Sequence, residues 1–241
     1  LVCRIKPEEP LFTPMDLKEG DKNKTVIVVG SGPAGLFAAL TLLEQGYTPI
    51  VLERGKDVHS RRLDIAQITR NNVVNSQSNY SFGEGGAGTY SDGKLFTRSK
   101  KRGDNIKVLN AFVQFGADSS ILYETHPHIG TDKLPTIVEN MRKAIISHGG
   151  EVYFQTQMTA LKSEIINNFL TVTGCEAINW ETQEHFSFDG PVILAIGNAA
   201  RDTYEELHQE GVCLEAKSLA LGVRLEHPQA LIDSIQYHNP K

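Results

Sequence analysis

Apolar runs and an amphipathic segment alternate near the start of the chain, and their order predicts a β-α-β unit. Residues 25–29 are a β-branched run of the kind that is buried on both faces of a parallel sheet. Residues 34–45 place apolar side chains at helical spacing before Gly46, and residues 49–52 form a second buried strand. The unit takes up about thirty residues, the length that a crossover between parallel strands requires.

Beyond this unit, the pattern predicts further helices and a group of strands. Helical spacing indicates helices over residues 57–70, 107–115, 131–148 and 202–210. A period of two from residue 151 onwards predicts strands over residues 151–156, 158–166, 169–178 and 185–188. Residues 191–197 are again a buried parallel-type strand, and residues 218–226 return to a strand pattern. We therefore expect an α/β fold in which a parallel sheet carries an inserted β-meander.

The same pattern predicts three segments in the domain organisation. Residues 1–24 are polar and lack a sustained period, which is typical of a leader or linker. Residues 25–217 form the main domain, and residues 218–241 begin a substrate domain that this chain is too short to complete. We therefore expect the chain to be a fragment of a larger enzyme.

Composition and charge exclude several classes of function. The net charge of −5 argues against a surface for nucleic acid or an anionic membrane, and no apolar run approaches the roughly 20 residues of a membrane span. The basic run at residues 98–102 is interpreted as a solvated loop, with an anion contact as the alternative. Three separate cysteines, Cys3, Cys175 and Cys213, offer neither a disulfide framework nor a metal site, and they fit a reducing cytoplasm.

Residues 30–35, Gly-Ser-Gly-Pro-Ala-Gly, carry the strongest chemical signal in the sequence. They match the GxGxxG dinucleotide fingerprint between a buried strand and a helix, and Glu53 ends the next strand. Gly30 permits the tight turn, Gly32 lets the backbone approach a pyrophosphate, and Gly35 lets helix and strand pack closely. The start of the helix offers free N–H groups to phosphates, and Glu53 would accept hydrogen bonds from a ribose that has no 2′-phosphate.

A second match to the same pattern lies at residues 83–88, Gly-Glu-Gly-Gly-Ala-Gly. No buried strand precedes it and a poor helix former follows it, so a second dinucleotide fold is not expected. One interpretation is a flexible backbone that lies against a flat ligand, and the other is a plain mobile loop. The first interpretation makes cofactor-binding residues of Gly85, Gly86, Ala87 and Gly88.

The fingerprint alone does not distinguish NAD from FAD, but the surrounding sequence resembles a known family. Residues 30–55 are similar to the opening of group-2 flavoproteins of the glutathione-reductase-like superfamily, which bind FAD. The segments that resemble uncharacterised bacterial FAD-dependent dehydrogenases, also described as NAD(P)/FAD-dependent oxidoreductases, are residues 82–95, 127–156, 192–207 and 221–233. The resemblance implies a Rossmann-type FAD-binding domain.

The resemblance also implies which residues contact the cofactor. Pyrophosphate contacts are implied at Gly30, Gly32, Pro33, Ala34 and Gly35, and a ribose site is implied at Glu53 and Arg54. Arg61 matches an arginine that often reaches the FAD phosphates in such flavoproteins, and its planar guanidinium suits anionic oxygens. The alternative for Arg61 is an ordinary arginine on a helix surface.

Two later positions are implied in the same way. Met158 stands where related proteins contact adenine with backbone atoms. Ala195 and Gly197 resemble the ends of the Ala-Thr-Gly motif that closes the cofactor-binding sheet, although Ile196 replaces the threonine. Asn198 stands where family members commonly carry histidine, which leaves a side-chain role there in doubt.

The expected function is FAD-dependent oxidoreduction of a small metabolite by hydride transfer through the flavin, in the cytoplasm. Reducing equivalents would come from the substrate, from a partner or from NAD(P)H. Acid/base or cationic groups are available for the substrate at Lys94, His126, His128, Arg224 and His227, although a structural hydrogen bond is the alternative for each. An NAD-dependent dehydrogenase and a non-catalytic redox-sensing module remain the alternatives. Neither the substrate nor the oligomeric state can be read from the sequence.

Overall fold

The computed structural model describes residues 12–97, 103–130, 132–219, 222–223 and 225–238. The predictions for Cys3, for Arg224 and for the basic run at residues 98–102 therefore lie outside the described residues. The chain divides into two compact units, Leu1–Gly211 and Val212–Lys241. Within the described part of the chain, no helix has the length and hydrophobicity of a membrane-spanning segment.

A four-stranded parallel sheet forms the centre of the first unit. Its strands are β1 (Asp21–Val29), β2 (Tyr47–Leu52), β3 (Glu151–Tyr153) and β7 (Val192–Leu194), in the order β3-β2-β1-β7. Neighbouring strands run parallel at all three pairings, which confirms the predicted α/β class. The sheet places the ends of β1, β2 and β7 side by side.

The unbroken apolar run of β1 is explained by two cores, one on each face of the sheet. Val28 packs with helices α1 (Pro33–Glu44) and α4 (Leu134–Ser147). Ile27 and Val29 pack on the opposite face, in a core that the antiparallel sheet completes. Because both faces are covered, apolar residues occupy successive positions instead of alternate ones.

The antiparallel sheet is the predicted β-meander. It consists of β4 (Thr156–Ile166), β5 (Phe169–Asn179) and β6 (His185–Asp189), in the order β4-β5-β6. The turn between β4 and β5 uses Asn167 and Asn168, whose φ values of 51° and 67° suit the two-residue turn that matches the twist of a hairpin.

Two predicted strands differ from the structure in this region. The strand expected over residues 151–156 ends at Tyr153, and β3 pairs with β2 of the parallel sheet instead of joining the meander. The chain then turns at Gln155, which has a φ of 56°, and enters the other sheet at Thr156. The strand expected over residues 191–197 is limited to the three residues of β7, and the chain after Leu194 lines a cavity.

The other helices of the first unit lie close to their predicted positions. They are α2 (Val58–Asn71), α3 (Asn105–Gln114) and α5 (Arg201–Gln209). Aspartates accept hydrogen bonds from the first amides of α2 and α3, which explains where both helices begin. Residues 12–20 of the predicted leader form no helix or strand, yet Met15 is buried in the first core.

The second unit contains the helix α6 (Gln229–Tyr237). The strand predicted over residues 218–226 is wrong for its described residues, none of which is in a strand. Leu219, Val223 and Leu225 are between 74% and 83% exposed, so their apolar side chains have no sheet to pack against. Whether this unit begins a substrate domain stays a prediction.

Candidate functional site

A cavity of about 500 Å³ opens at the carboxyl ends of the parallel strands. Val29, Leu52 and Leu194, the last residues of β1, β2 and β7, all contribute to its wall. The carboxyl edge of an open parallel sheet is where ligands bind in folds of this kind, and the volume lies within the usual range of small-molecule sites.

The structure places most of the predicted cofactor-binding residues in this wall. Those that line the cavity are Gly30, Gly32, Pro33, Ala34, Glu53, Arg54, Gly86, Ala87, Met158, Ala195 and Gly197. Four predicted residues are not in its wall, and these are Gly35, Arg61, Gly85 and Gly88. The contacts described below show that Arg61 and Gly85 hold the second glycine-rich segment in place and that Gly35 lets α1 pack closely on β1.

The three glycines of the fingerprint differ in what a Cβ atom at each position would contact. Gly30 has a φ of 102°, and a Cβ there would lie 2.4 Å from the Ala195 carbonyl oxygen. A Cβ on Gly35 would lie only 1.8 Å from the Gly30 carbonyl oxygen, so α1 and β1 could not pack as they do. A Cβ on Gly32 would meet only the Cα of Gly86, at an ordinary 3.8 Å. The fold itself therefore does not require glycine at position 32, where the backbone faces the cavity.

The start of α1 is suited to an anion. Gly32 is its N-cap residue and provides no side-chain cap, and Pro33 occupies the first turn. No acidic residue lies in that turn. Unpaired amides and the positive end of the helix dipole therefore face the same cavity as Gly32, which is the arrangement that binds phosphate groups.

Glu53, which follows β2, is only 4% exposed, and its carboxylate joins three loops. One carboxylate oxygen accepts hydrogen bonds from the amide and the hydroxyl of Ser31, at 2.8 and 2.7 Å. The other oxygen accepts from the amides of Gly55 and Gly83, at 2.8 and 2.9 Å. A ribose at this carboxylate would have to replace one of these donors, and the Ser31 hydroxyl is the one that can rotate away without moving the backbone.

The second glycine-rich segment packs directly on the fingerprint loop. The Gly85 amide donates to the Ser31 carbonyl at 2.9 Å, and a Cβ on Gly86 would lie 3.1 Å from the Cα of Gly32. Residues Gly86–Gly88 form one 3-10 turn, and neither a strand before it nor a helix after it is present. As predicted, the segment is not a second dinucleotide fold. Gly86 and Ala87 face the cavity.

Arg61 is fully buried beneath this segment, with 0% exposure. Its guanidinium donates to four backbone carbonyl oxygens, those of Asn79, Tyr80, Gly83 and Glu84. The interpretation of Arg61 as an ordinary surface arginine is therefore wrong. The Arg61 side chain holds the glycine-rich segment in place through these hydrogen bonds. For Arg61 to contact a phosphate, the hydrogen bonds would have to break.

Glu84 ties the same segment to two helices. One carboxylate oxygen accepts from the Val58 amide at the start of α2, and the other accepts from Nε of Arg142 on α4 at 2.7 Å. Burial raises the pKa of Glu84, while the Val58 amide and the Arg142 guanidinium favour its ionised form. With Arg61, this ion pair fixes the backbone from which Gly86 and Ala87 reach the cavity.

Arg54 lies on the rim of the cavity, beside Glu53. Its guanidinium makes two parallel contacts with Asp202 of α5, at 3.0 and 2.5 Å, and it stacks on the Phe82 ring at 4.3 Å from the centroid. The hydrogen bonds from Arg54 hold the pKa of Asp202 below its usual range. Asp202 and Phe82 gave no signal in the sequence, because nothing local to either residue indicates that they meet Arg54.

Of the groups expected on the substrate side, Lys94, His126 and His128 are described in the first unit and do not line this cavity. Lys94 and His128 lie opposite one another in an isolated antiparallel bridge, and Lys94 forms an ion pair with Asp92. The ring of His126 lies 4.5 Å from that of Phe96. His227 belongs to the second unit.

In the described part of the chain, no group of three or more His, Cys, Asp or Glu residues could hold a metal ion.

Comparison with known families indicates which cofactor the chain binds. Residues 25–84 match the family of FAD binding domains. The matched segment runs from β1 to Glu84, so it contains the fingerprint loop, Glu53, Arg54 and Arg61. FAD is therefore the cofactor that this family match indicates.

One relative and two solved structures resemble the chain over most of its length. An uncharacterized protein of Clostridium beijerinckii is 44% identical over 219 residues, which cover 88% of this chain and 38% of that protein. The chain thus spans less than half the length of this relative. THI4 of Thermovibrio ammonificans shares the fold, with a TM-score of 0.51, 16% identity, and coverage of 79% of this chain and 64% of THI4.

The second solved structure is the glycerol-3-phosphate dehydrogenase of Bacillus halodurans complexed with FAD. Its TM-score is 0.48 at 14% identity, and the alignment covers 78% of this chain and 37% of the dehydrogenase.

Proposed function

We propose that this chain forms the FAD-binding part of an oxidoreductase that acts on a small metabolite. The observation that carries the proposal is the backbone at Gly32. The fold leaves room for a Cβ atom there, yet the sequence has glycine at the point where the uncapped start of α1 faces the cavity. A diphosphate that approaches the backbone closely explains both features.

The residues in the wall would hold the cofactor along its length. The first amides of α1 would bind the diphosphate, Glu53 would accept hydrogen bonds from the adenosine ribose, and the backbone near Met158 would contact adenine. Gly86 and Ala87, which pack beside Gly32, would border the diphosphate on the same wall of the cavity. When bound, FAD supplies hydride acceptance and donation, and the protein supplies its binding and orientation.

The more specific expectations belong to the same proposal. We place the chain with the bacterial FAD-dependent dehydrogenases that its sequence resembles, and we propose that it works in the cytoplasm. NAD(P)H is proposed as an electron donor, bound without a second Rossmann unit of its own. The candidate acid/base groups Lys94, His126 and His128 do not lie in the wall of the cavity.

Purified full-length protein provides the test. We expect the two visible absorption bands of oxidised flavin, and we expect extraction to release FAD at about one molecule per chain. When the protein is mixed anaerobically with NADH and, separately, with NADPH, one of the two should bleach these absorption bands. Reduced protein should then reduce an artificial electron acceptor in the presence of further donor.

Two outcomes would contradict the proposal. Colourless protein that releases NAD would favour an NAD-dependent dehydrogenase. Protein that binds FAD tightly but turns over with no metabolite and no artificial acceptor would favour a redox-sensing module.

A further inference from the structure

The ion pair between Arg54 and Asp202 is a built feature of the cavity rim, because both of its ends are restrained by further contacts. The Nε of Arg54 donates to Gln77 at 3.1 Å, and the Arg54 carbonyl accepts from the Trp180 ring nitrogen. Asp202 accepts from Gln157 at 3.0 Å and from the Thr203 amide at 2.9 Å. The Arg54 side chain is only 11% exposed, so this geometry is fixed on the arginine side.

The pair changes what Arg54 can recognise. An arginine beside the ribose site of a dinucleotide fold is the usual partner of a 2′-phosphate, which it binds through two parallel hydrogen bonds. Here the two terminal nitrogens already donate to the two oxygens of Asp202. The Arg54 side chain, Asp202 and Glu53 together carry one positive and two negative charges, so the rim has a net negative charge.

We propose that Asp202, by occupying Arg54, makes this site select adenine nucleotides without a 2′-phosphate. This inference rests on the proposed function, since it concerns the adenosine end of the same FAD site. A 2′-phosphate would have to displace a carboxylate from Arg54 and would then meet the charges of Asp202 and Glu53. The ribose of FAD has a free 2′-hydroxyl group, so it can bind without displacing Asp202 from Arg54.

The selection would protect the site from a common competitor. The ADP half of FAD is shared by NAD and, with an added 2′-phosphate, by NADP. A cavity that binds the ADP half well would therefore bind both NAD and NADP, unless the part of the site around the ribose excludes the 2′-phosphate. Asp202 therefore acts as a specificity-determining residue and does not need to touch FAD itself, and in this structure it is not part of the cavity wall.

Competition against FAD tests the proposal on full-length protein from which the flavin has been removed. The two probes are ADP-ribose and 2′-phospho-ADP-ribose, and the readout is the quenching of FAD fluorescence on binding. The unaltered protein should bind ADP-ribose at least about tenfold more tightly than its 2′-phosphate. In Asp202→Asn, Arg54 is released, and this preference should shrink by about tenfold through tighter binding of the phosphorylated probe.

Two further variants make the result specific. Asp189→Asn removes another carboxylate that pairs with a cation, Lys162, but it lies at the end of β6 and is not in the wall of the cavity. This control should bind both probes as the unaltered protein does. Adding Arg54→Gln to Asp202→Asn should abolish the gained affinity for the 2′-phosphate, because the guanidinium would supply that affinity.

Each alternative result is decisive. Equal affinity of the unaltered protein for the two probes would overturn the selection, and so would an unchanged preference in Asp202→Asn. If Asp202→Asn bound neither ADP-ribose nor its 2′-phosphate, the proposal would be overturned as well. The ion pair of Arg54 with Asp202 would then maintain the structure of the site and would not set its specificity. If the unaltered protein bound neither FAD nor ADP-ribose, the proposed function would fail instead.

Discussion

Replacing Arg61 with methionine is expected to lower the free energy of unfolding by about 4 kcal/mol and to weaken FAD binding. Methionine has a similar length but no donors, so four carbonyl oxygens would lose the hydrogen bond from Arg61, and those of Asn79 and Tyr80 would lose the only donor described for them. The glycine-rich segment that faces the cavity would no longer be fixed. Urea denaturation measures the first effect, and FAD titration measures the second.

The neighbouring residue is the matched control. Arg62 lies on the same helix, is exposed, and takes part in none of the bonds that hold the segment. Arg62→Met should change the free energy of unfolding by no more than about 0.5 kcal/mol and should leave FAD affinity unaltered. Similar losses in the two variants would mean that loss of positive charge, and not the buried contacts of Arg61, sets the stability.

Adding a single methyl group to two glycines of the fingerprint should give opposite results. Gly35→Ala would place a Cβ 1.8 Å from the Gly30 carbonyl oxygen, and we expect it to destabilise the fold by about 3 kcal/mol. Gly32→Ala meets nothing closer than 3.8 Å, and its φ of −67° suits any residue, so the fold should keep its stability. FAD affinity of Gly32→Ala should nevertheless fall by about tenfold or more, because the methyl group occupies the path of the diphosphate.

The two measurements separate the roles of these glycines. Thermal unfolding of both variants reports on packing between α1 and β1, and FAD titration of Gly32→Ala reports on the site. Full FAD affinity in a stable Gly32→Ala protein would place the diphosphate somewhere other than against this backbone.

The sequence predicted those parts of the fold that depend on local pattern. The β-branched run that became β1, the helix α1 and the fingerprint between them were identified because each has its own signal over a few residues. Residues 131–148 carried a clear helical period that the structure confirms as α4. For the second glycine-rich segment, the sequence left open a backbone that lies against a ligand and a plain mobile loop; Gly86 and Ala87 line the cavity, whereas Gly85 and Gly88 do not.

The features of the fold and the site that the sequence did not predict depend on contacts between residues far apart in the chain. Arg61 looks like any arginine of an amphipathic helix until the segment of residues 79–84 folds over it. The assignment of β3 to the parallel sheet depended on a turn at Gln155, a residue type that rarely adopts a positive φ. The partnership of Arg54 with Asp202 joins residues 148 positions apart, and no local pattern reports such a distance.

A crystal structure of the full-length protein with FAD bound tests the central claim most directly. We predict that the diphosphate lies in the cavity beside Gly32 and Gly86, within hydrogen-bonding distance of the first amides of α1, and that the adenosine ribose lies beside Glu53. A diphosphate bound away from the start of α1, or an adenosine held outside the cavity at the ends of β1, β2 and β7, would contradict the account.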